Sequence, residues 1–235
     1  MDLARTIEEL VDANRILSDF GIVDGFGHVS VRHPTREDVF LISDSRAPCL
    51  VTADDVIECG MDGEPLRGTV KRTYIERYIH SAIYRRRPDV RAVVHSHAPE
   101  VIPFGICQHR LMPTFHMAGF LSQRTPVFEI REVVGDGSNL LVTNAETGDA
   151  LARELGAESV VLMRGHGMTV AGPSLALACF RAVYTKINAQ VQIWSSNMGP
   201  ANTLTEAECR SITATSNDAS IARTWDLWRQ RVRRM

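Results

Sequence analysis

The chain has 235 residues, with 26 Lys+Arg against 28 Asp+Glu, a formal charge of -2, and 44% hydrophobic and 23% charged residues. These proportions exclude wholesale disorder, and near-neutral charge gives no footprint for nucleic acid or an anionic membrane as a partner. Met1 is followed by the charged run Asp2-Leu3-Ala4-Arg5 rather than an apolar signal core. No stretch approaches the roughly 18 apolar residues of a membrane span, so the expected location is the cytoplasm.

In chain order, Leu3, Ile7, Leu10, Val11, Asn14 and Leu17 follow a helical period, with Gly21 as a stop. Gly25-Phe26-Gly27-His28 reads as a turn, followed by strands at Val29–Arg32 and Val39–Ser43. Thr52–Asp55 resembles a short helix start, Val56–Cys59 a strand, and Met61–Glu64 a hairpin turn. A second helix is expected from Thr73 to about Arg86, with Ile75, Ile79 and Ile83 on one stripe. Val90–His97 then reads as a strand ending in two histidines, and Val127–Ile130 as another. Thr147–Leu155 predicts a helix closed by Gly156, and Ser159–Met163 an apolar strand entering Arg164-Gly165-His166-Gly167. A long helix follows Pro173, and Thr205-Glu206-Ala207-Glu208 has the spacing of a capping box for a last helix. The arginine-rich end from Trp225 to Arg234 reads as a solvated or subunit-facing helix end. No linker or repeat interrupts the alternation. One α/β domain over 1–235 is expected, its central sheet mostly antiparallel or mixed, with a helical extension at about 205–235.

Five cysteines, odd in number and without a C-x-x-C pair, do not make a disulfide framework or a thiolate metal site. The eight histidines are more informative. In a strand, residues two apart point to the same face, so His95 and His97 can reach one metal ion. An isolated H-x-H also describes ordinary polar residues at a strand end. His166, between Gly165 and Gly167 at a second strand exit, can share that site or sit in an incidental glycine-rich turn. Glu76 is either a solvated i,i+4 partner of His80 or a carboxylate aimed at the metal, as fourth ligand or acid/base. His33, His80 and His109 have no reading beyond surface or packing. There is no complete dinucleotide loop, phosphate loop, G-x-S-x-G elbow or H-E-x-x-H pair.

The order Gly27-His28-Val29-Ser30-Val31-Arg32, Glu76, Arg87-Pro88-Asp89-Val90-Arg91-Ala92-Val93-Val94-His95-Ser96-His97 and Arg164-Gly165-His166-Gly167 resembles the class II aldolase/adducin family. The resemblance implies a three-layer α/β/α domain and a homotetramer with active sites between subunits. It also implies a divalent metal held by Glu76, His95, His97 and His166. Glu76 would ligate or move protons, and the family's interfacial tyrosine acid matches His116.

The sugar-phosphate aldolase pattern is not kept. Thr73-Tyr74-Ile75 stand where small hydroxyls bind phosphate, and Ile42-Ser43-Asp44-Ser45-Arg46-Ala47-Pro48 replaces the phosphate loop. The stretch Gly25–Pro34 with Ser45-Arg46-Ala47-Pro48 is instead similar to the decarboxylase branch, which acts on aromatic ortho-hydroxy carboxylates. That likeness implies 3-hydroxy-2-methylpyridine-4,5-dicarboxylate, of vitamin B6 breakdown, as substrate, with dihydroxyphthalate as the alternative. Manganese is the expected metal and zinc the alternative, stabilising the enolate- or phenolate-like carbanion left by carbon dioxide. His28, Ser43, Ser45 and Arg46 are the expected substrate contacts, Arg46 being suited to bidentate carboxylate binding. An aldolase or epimerase acting on a sugar acid, and a non-catalytic adducin-like module, are the other readings.

Overall fold

Alternation of apolar side chains along the strands builds a core on each face of one sheet in the computed structural model, which describes residues 2–66, 72–121, 123–215 and 218–234. The strands are β1 (His28–Arg32), β2 (Val39–Ser43), β3 (Val56–Gly60), β4 (Ala92–Ser96), β5 (Val127–Phe128), β6 (Val160–Met163) and β7 (Gly167–Gly172). Their spatial order is β3-β2-β1-β4-β7-β6-β5, antiparallel throughout except for the parallel β5–β6 pair. The helices are α1 (Leu3–Asp19), α2 (Arg77–Arg86), α3 (Ile102–Ile106), α4 (Arg131–Val134), α5 (Ala145–Leu155), α6 (Leu175–Ser196), α7 (Glu206–Thr215) and α8 (Asp218–Val232).

Val29, Val31, Val94, Leu162 and Val170 face α1, α6 and α8, whereas Phe40, Ile42, Val93, Val161 and Ala171 face α2 and α5. This is the expected α/β arrangement of helices on both faces of a mixed sheet. β4 is central: it pairs with β1 on one side and β7 on the other, and its register sets His28 opposite His95. No helix among the described residues is long and apolar enough to cross a membrane.

Several elements differ from the sequence reading, among them the short helices α3 and α4, which were not expected. β7 was not expected, because glycines at both ends and Pro173 beyond make the segment look like a turn. The second helix begins at Arg77 rather than Thr73. Before it, the Arg72 carbonyl accepts the Ser45 N–H and the Tyr74 hydroxyl bonds to the Arg46 carbonyl, holding the segment out of the helix. Ile75 is consequently 59% exposed and leaves the Ile79/Ile83 stripe.

The arginine-rich C-terminal helix is also not a solvated end. Trp225 and Trp228 are buried, the latter tilted against Phe20 at 4.9 Å between ring centres. Arg229 Nε and Arg233 Nη2 each donate to Asp12 Oδ2 at 2.7 Å, tying α8 to α1. Asp12 is buried, so its carboxylate depends on these partners. Asp12→Ala is expected to cost about 2 kcal/mol, read as a lower urea midpoint at unchanged m-value.

Candidate metal centre

Two strand exits and one helix start converge at one end of β4. His95 lies within β4, fully buried, and His97 follows one residue beyond the strand. Their Nε2 atoms are 3.0 Å apart. His166 comes from the β6–β7 hairpin, where Met163 pairs with Gly167 and the loop between them turns through Gly165 at φ +65°. That left-handed backbone suits glycine, and it delivers His166 Nε2 to 2.9 Å from His97 Nε2. Gly167 answers a different need. A Cβ there would lie 2.0 Å from the Ser96 carbonyl oxygen, so only glycine permits β4 and β7 to approach where the histidines meet.

Glu76 is the N-terminal cap residue of α2 rather than a residue on its solvated face, and it is 7% exposed. Oε1 accepts the Val142 N–H at 2.9 Å, while Oε2 lies 3.4 Å from His95 Nε2 and 3.5 Å from His166 Nε2. The ligand atoms of Glu76, His95, His97 and His166 all fall within 4.8 Å of one another. Donors bound at about 2.0–2.1 Å to one ion sit roughly 3 Å apart, so this set fits a divalent metal. The surrounding shell fits as well. His166 Nδ1 donates to the Leu140 carbonyl at 2.8 Å, which leaves its Nε2 lone pair free. Leu140 adopts φ +66°, the one positive φ of a non-glycine residue among those described. Thr169 Oγ1 stands 3.4 Å from His95 Nδ1.

Electrostatics favour a neutral His97 and an ionised Glu76, whereas His166 is shifted toward its protonated form. Burial and the neighbouring His95 and His166 push His97 down to about 4. Burial works against ionising Glu76, but the His95 and His166 imidazoles outweigh it and hold its carboxyl well below the usual carboxylate range. His166 is raised: burial opposes protonation, yet its hydrogen bond to Glu76 prevails.

The cluster opens on a cavity of about 530 Å³ lined by Glu76, His97 and His28. Phe26, Tyr74, Ile75 and Leu141 give it apolar and aromatic surface, and Ser45, Arg46 and Arg72 give it polar surface. Of the expected substrate contacts, His28, Ser45 and Arg46 therefore line the cavity. Ser43 does not: it is fully buried behind Tyr74, with Oγ 3.2 Å from the Tyr74 hydroxyl. Arg46 is already paired with Asp55 at 3.0 Å. His116 lies in an exposed single turn of helix at His116–Ala118 and is absent from the lining of this cavity.

Sequence reasoning missed Arg72, Tyr74 and Phe26, whose roles emerge only when the segments 25–28, 45–47 and 72–76 come together. It also left His80 as surface or packing. His80 is fully buried, with Nε2 2.6 Å from His28 Nδ1 and Nδ1 2.6 Å from Ser30 Oγ. Burial and the nearby His95 push it down to about 3, and burial with His80 likewise lowers His28.

Comparison with known proteins agrees with this architecture. Residues 8–193 match the family model described as Class II Aldolase and Adducin N-terminal domain. The chain is 36% identical to Decarboxylase tropJ of Talaromyces stipitatus, over 94% of this chain and 92% of that protein. It is 28% identical to the 3,4-dihydroxyphthalate decarboxylase of Arthrobacter keyseri, over 83% and 80% of the two chains. An L-fuculose 1-phosphate aldolase from Glaciozyma antarctica superimposes with a TM-score of 0.80 at 21% identity, covering 98% of this chain and 89% of its own. With the family model spanning most of the chain and the fold shared end to end, the protein belongs to the class II aldolase/adducin family.

Proposed function

We propose that the protein is a carbon–carbon lyase, a divalent-metal-dependent decarboxylase of an aromatic ortho-hydroxy carboxylate. The observation that carries this reading is a single cavity that joins the Glu76/His95/His97/His166 donor set to aromatic surface and to two guanidinium groups. The similarity to proteins named as decarboxylases supports it. An interaction module would have no use for four converging donor atoms.

A bound ion would supply Lewis acidity beside the ring hydroxyl and its neighbouring carboxylate, with manganese the expected occupant and zinc the alternative. The residues of the chain do the rest. Phe26 and Tyr74 receive the ring face, and burial of that face excludes water from the reacting carbon. The bond from ring carbon to carboxylate breaks, its electron pair stays on the ring, carbon dioxide leaves, and a proton must return to that carbon. Glu76, held as a carboxylate in contact with the site, can take the proton of the ring hydroxyl and return it to that carbon. His116, outside the cavity lining, can serve as acid only at the site of a second copy, as the homotetramer implied by the family would require.

The proposed substrate carries a second, spectator carboxylate, as in 3-hydroxy-2-methylpyridine-4,5-dicarboxylate or 3,4-dihydroxyphthalate. Arg46 was the sequence-based choice to bind it, but Asp55 already offsets that charge. Arg72 lines the same cavity and has no carboxylate partner among the described residues. Arg72→Ala is therefore expected to raise KM about tenfold or more, and Arg46→Ala by less, with metal content unchanged in both. Glu76→Gln should keep metal on three histidines while turnover falls at least about a hundredfold. Metal lost in step with activity would make Glu76 a ligand only.

The deciding experiment is incubation of the manganese- and zinc-loaded protein with the pyridine dicarboxylate, with 3,4-dihydroxyphthalate and with sugar acids, following carbon dioxide release. Release from a ring substrate is expected. Cleavage of a sugar acid with no carbon dioxide would replace the decarboxylase reading by an aldolase one.

A further inference from the structure

Behind the cavity, four buried side chains on β1 and α2 form one continuous hydrogen-bonded row. His28 Nδ1 is 2.6 Å from His80 Nε2, His80 Nδ1 is 2.6 Å from Ser30 Oγ, and Ser30 Oγ is 2.7 Å from the Tyr84 hydroxyl. His28 is 3% exposed, Tyr84 1%, and Ser30 and His80 are fully enclosed. Of the four, only His28 lines the cavity, at one end of the row. A row of four polar groups sealed from water has a direction, because each bond needs one donor and one acceptor.

The far end sets that direction. The Tyr84 proton has two acceptors in reach, Ser30 Oγ at 2.7 Å and the Arg91 carbonyl at 3.5 Å. The Arg91 carbonyl already accepts the Arg32 N–H at 2.8 Å. Tyr84 therefore donates to Ser30, the shorter bond by a wide margin. Ser30, its oxygen occupied as acceptor, donates to His80 Nδ1. His80 then carries its proton on Nε2 and donates to His28 Nδ1. The proton of a neutral His28 is left on Nε2, which makes no hydrogen bond to any described residue.

We infer that His80 is a positioning residue: through the row Tyr84–Ser30–His80–His28 it fixes His28 as the Nε2–H tautomer, a neutral donor facing the cavity that binds an anionic oxygen of the substrate. The assignment of the substrate oxygen rests on the decarboxylase reading; the tautomer does not. Reversal of the row would turn His28 Nε2 into an acceptor and set a lone pair against a carboxylate. Specificity for an acidic substrate would then be lost without any change in the metal ligands.

The test is nitrogen-15 NMR of histidine-labelled, zinc-loaded protein, with two-bond proton–nitrogen correlations to read each ring. His28 and His80 are both expected as Nε2–H tautomers. Tyr84→Phe removes the hydroxyl that sets the direction and leaves Ser30 able to accept, so both rings should gain Nδ1–H population. In the same variant KM should rise about tenfold while kcat changes little, with wild-type metal content. Ser30→Ala, which cuts the row nearer its centre, should behave alike and guards against misfolding of either variant. An Nδ1–H tautomer of His28 in the wild-type protein overturns the inference. So do unchanged tautomers and KM in both folded variants. If no ring carboxylate is turned over by the wild-type protein, the decarboxylase reading fails while the tautomer result stands on its own.

Discussion

His95→Ala yields a folded chain that binds no divalent ion at working concentrations and releases no carbon dioxide from a ring substrate. The expectation follows from where the side chain sits. His95 is fully buried in β4, its Nε2 is 3.0 Å from that of His97, and it stands 3.4 Å from Glu76 Oε2. Its removal takes one of three imidazoles and leaves the Glu76 carboxylate facing a void. Loss of an outer partner of a metal ligand typically costs 10–100-fold in affinity, so loss of a ligand should cost about a thousandfold or more. Metal per chain, measured on dialysed protein by mass spectrometry, should fall from about one toward zero, and turnover with it. The wild-type protein stripped by chelator should lose activity and regain it on adding manganese. A His95→Ala protein that kept its metal and its rate would remove the basis of the site.

Gly167→Ala should be nearly as damaging, although it removes no ligand. The added methyl would sit 2.0 Å from the Ser96 carbonyl oxygen and 3.0 Å from the His97 Cα, both backbone atoms that cannot swing aside. β4 and β7 would have to part at the rung where His97 and His166 converge. We expect a loss of about 3 kcal/mol or more in stability, together with weakened metal binding. Thermal unfolding with and without metal checks this. The metal-dependent gain in Tm should shrink as well as the baseline. A variant that simply unfolds at a lower temperature, with undiminished metal gain, would mean that the close approach serves the sheet alone.

How far these features were legible depends on the range of the interactions that make them. The apolar run before His95 and the glycine-flanked His166 are local patterns, and they place both histidines toward strand ends. The α/β class with a mixed sheet is legible for the same reason. Glu76 was harder. Its spacing to Ile79 and Ile83 is helical, but the helix starts one residue later, because Tyr74 is held by Ser43 and Arg46, which lie 28 or more residues away. His80 was illegible in principle. Its partners His28 and Ser30 are some 50 residues off, and a buried histidine bonded at both nitrogens looks like any helical histidine until the sheet is assembled. The arginines of α8 misled for a related reason: their carboxylate, Asp12, is 217 residues from Arg229. Arg72 was passed over because its segment carries no motif, only proximity.

The pairing of β1 with β4 puts His28 directly across from His95, on one rung of the ladder. The proposed metal ligand and the proposed substrate contact are thus spaced by the backbone hydrogen bonds of the sheet. Most of the remaining cavity surface comes from connecting segments, at 25–27, 45–47 and 72–75, which lie outside the strands. The molecule therefore separates what must stay fixed from what can drift. On the proposed reading, changes in these loops would alter substrate choice, while a change at position 28 would be felt at the rung that carries His95.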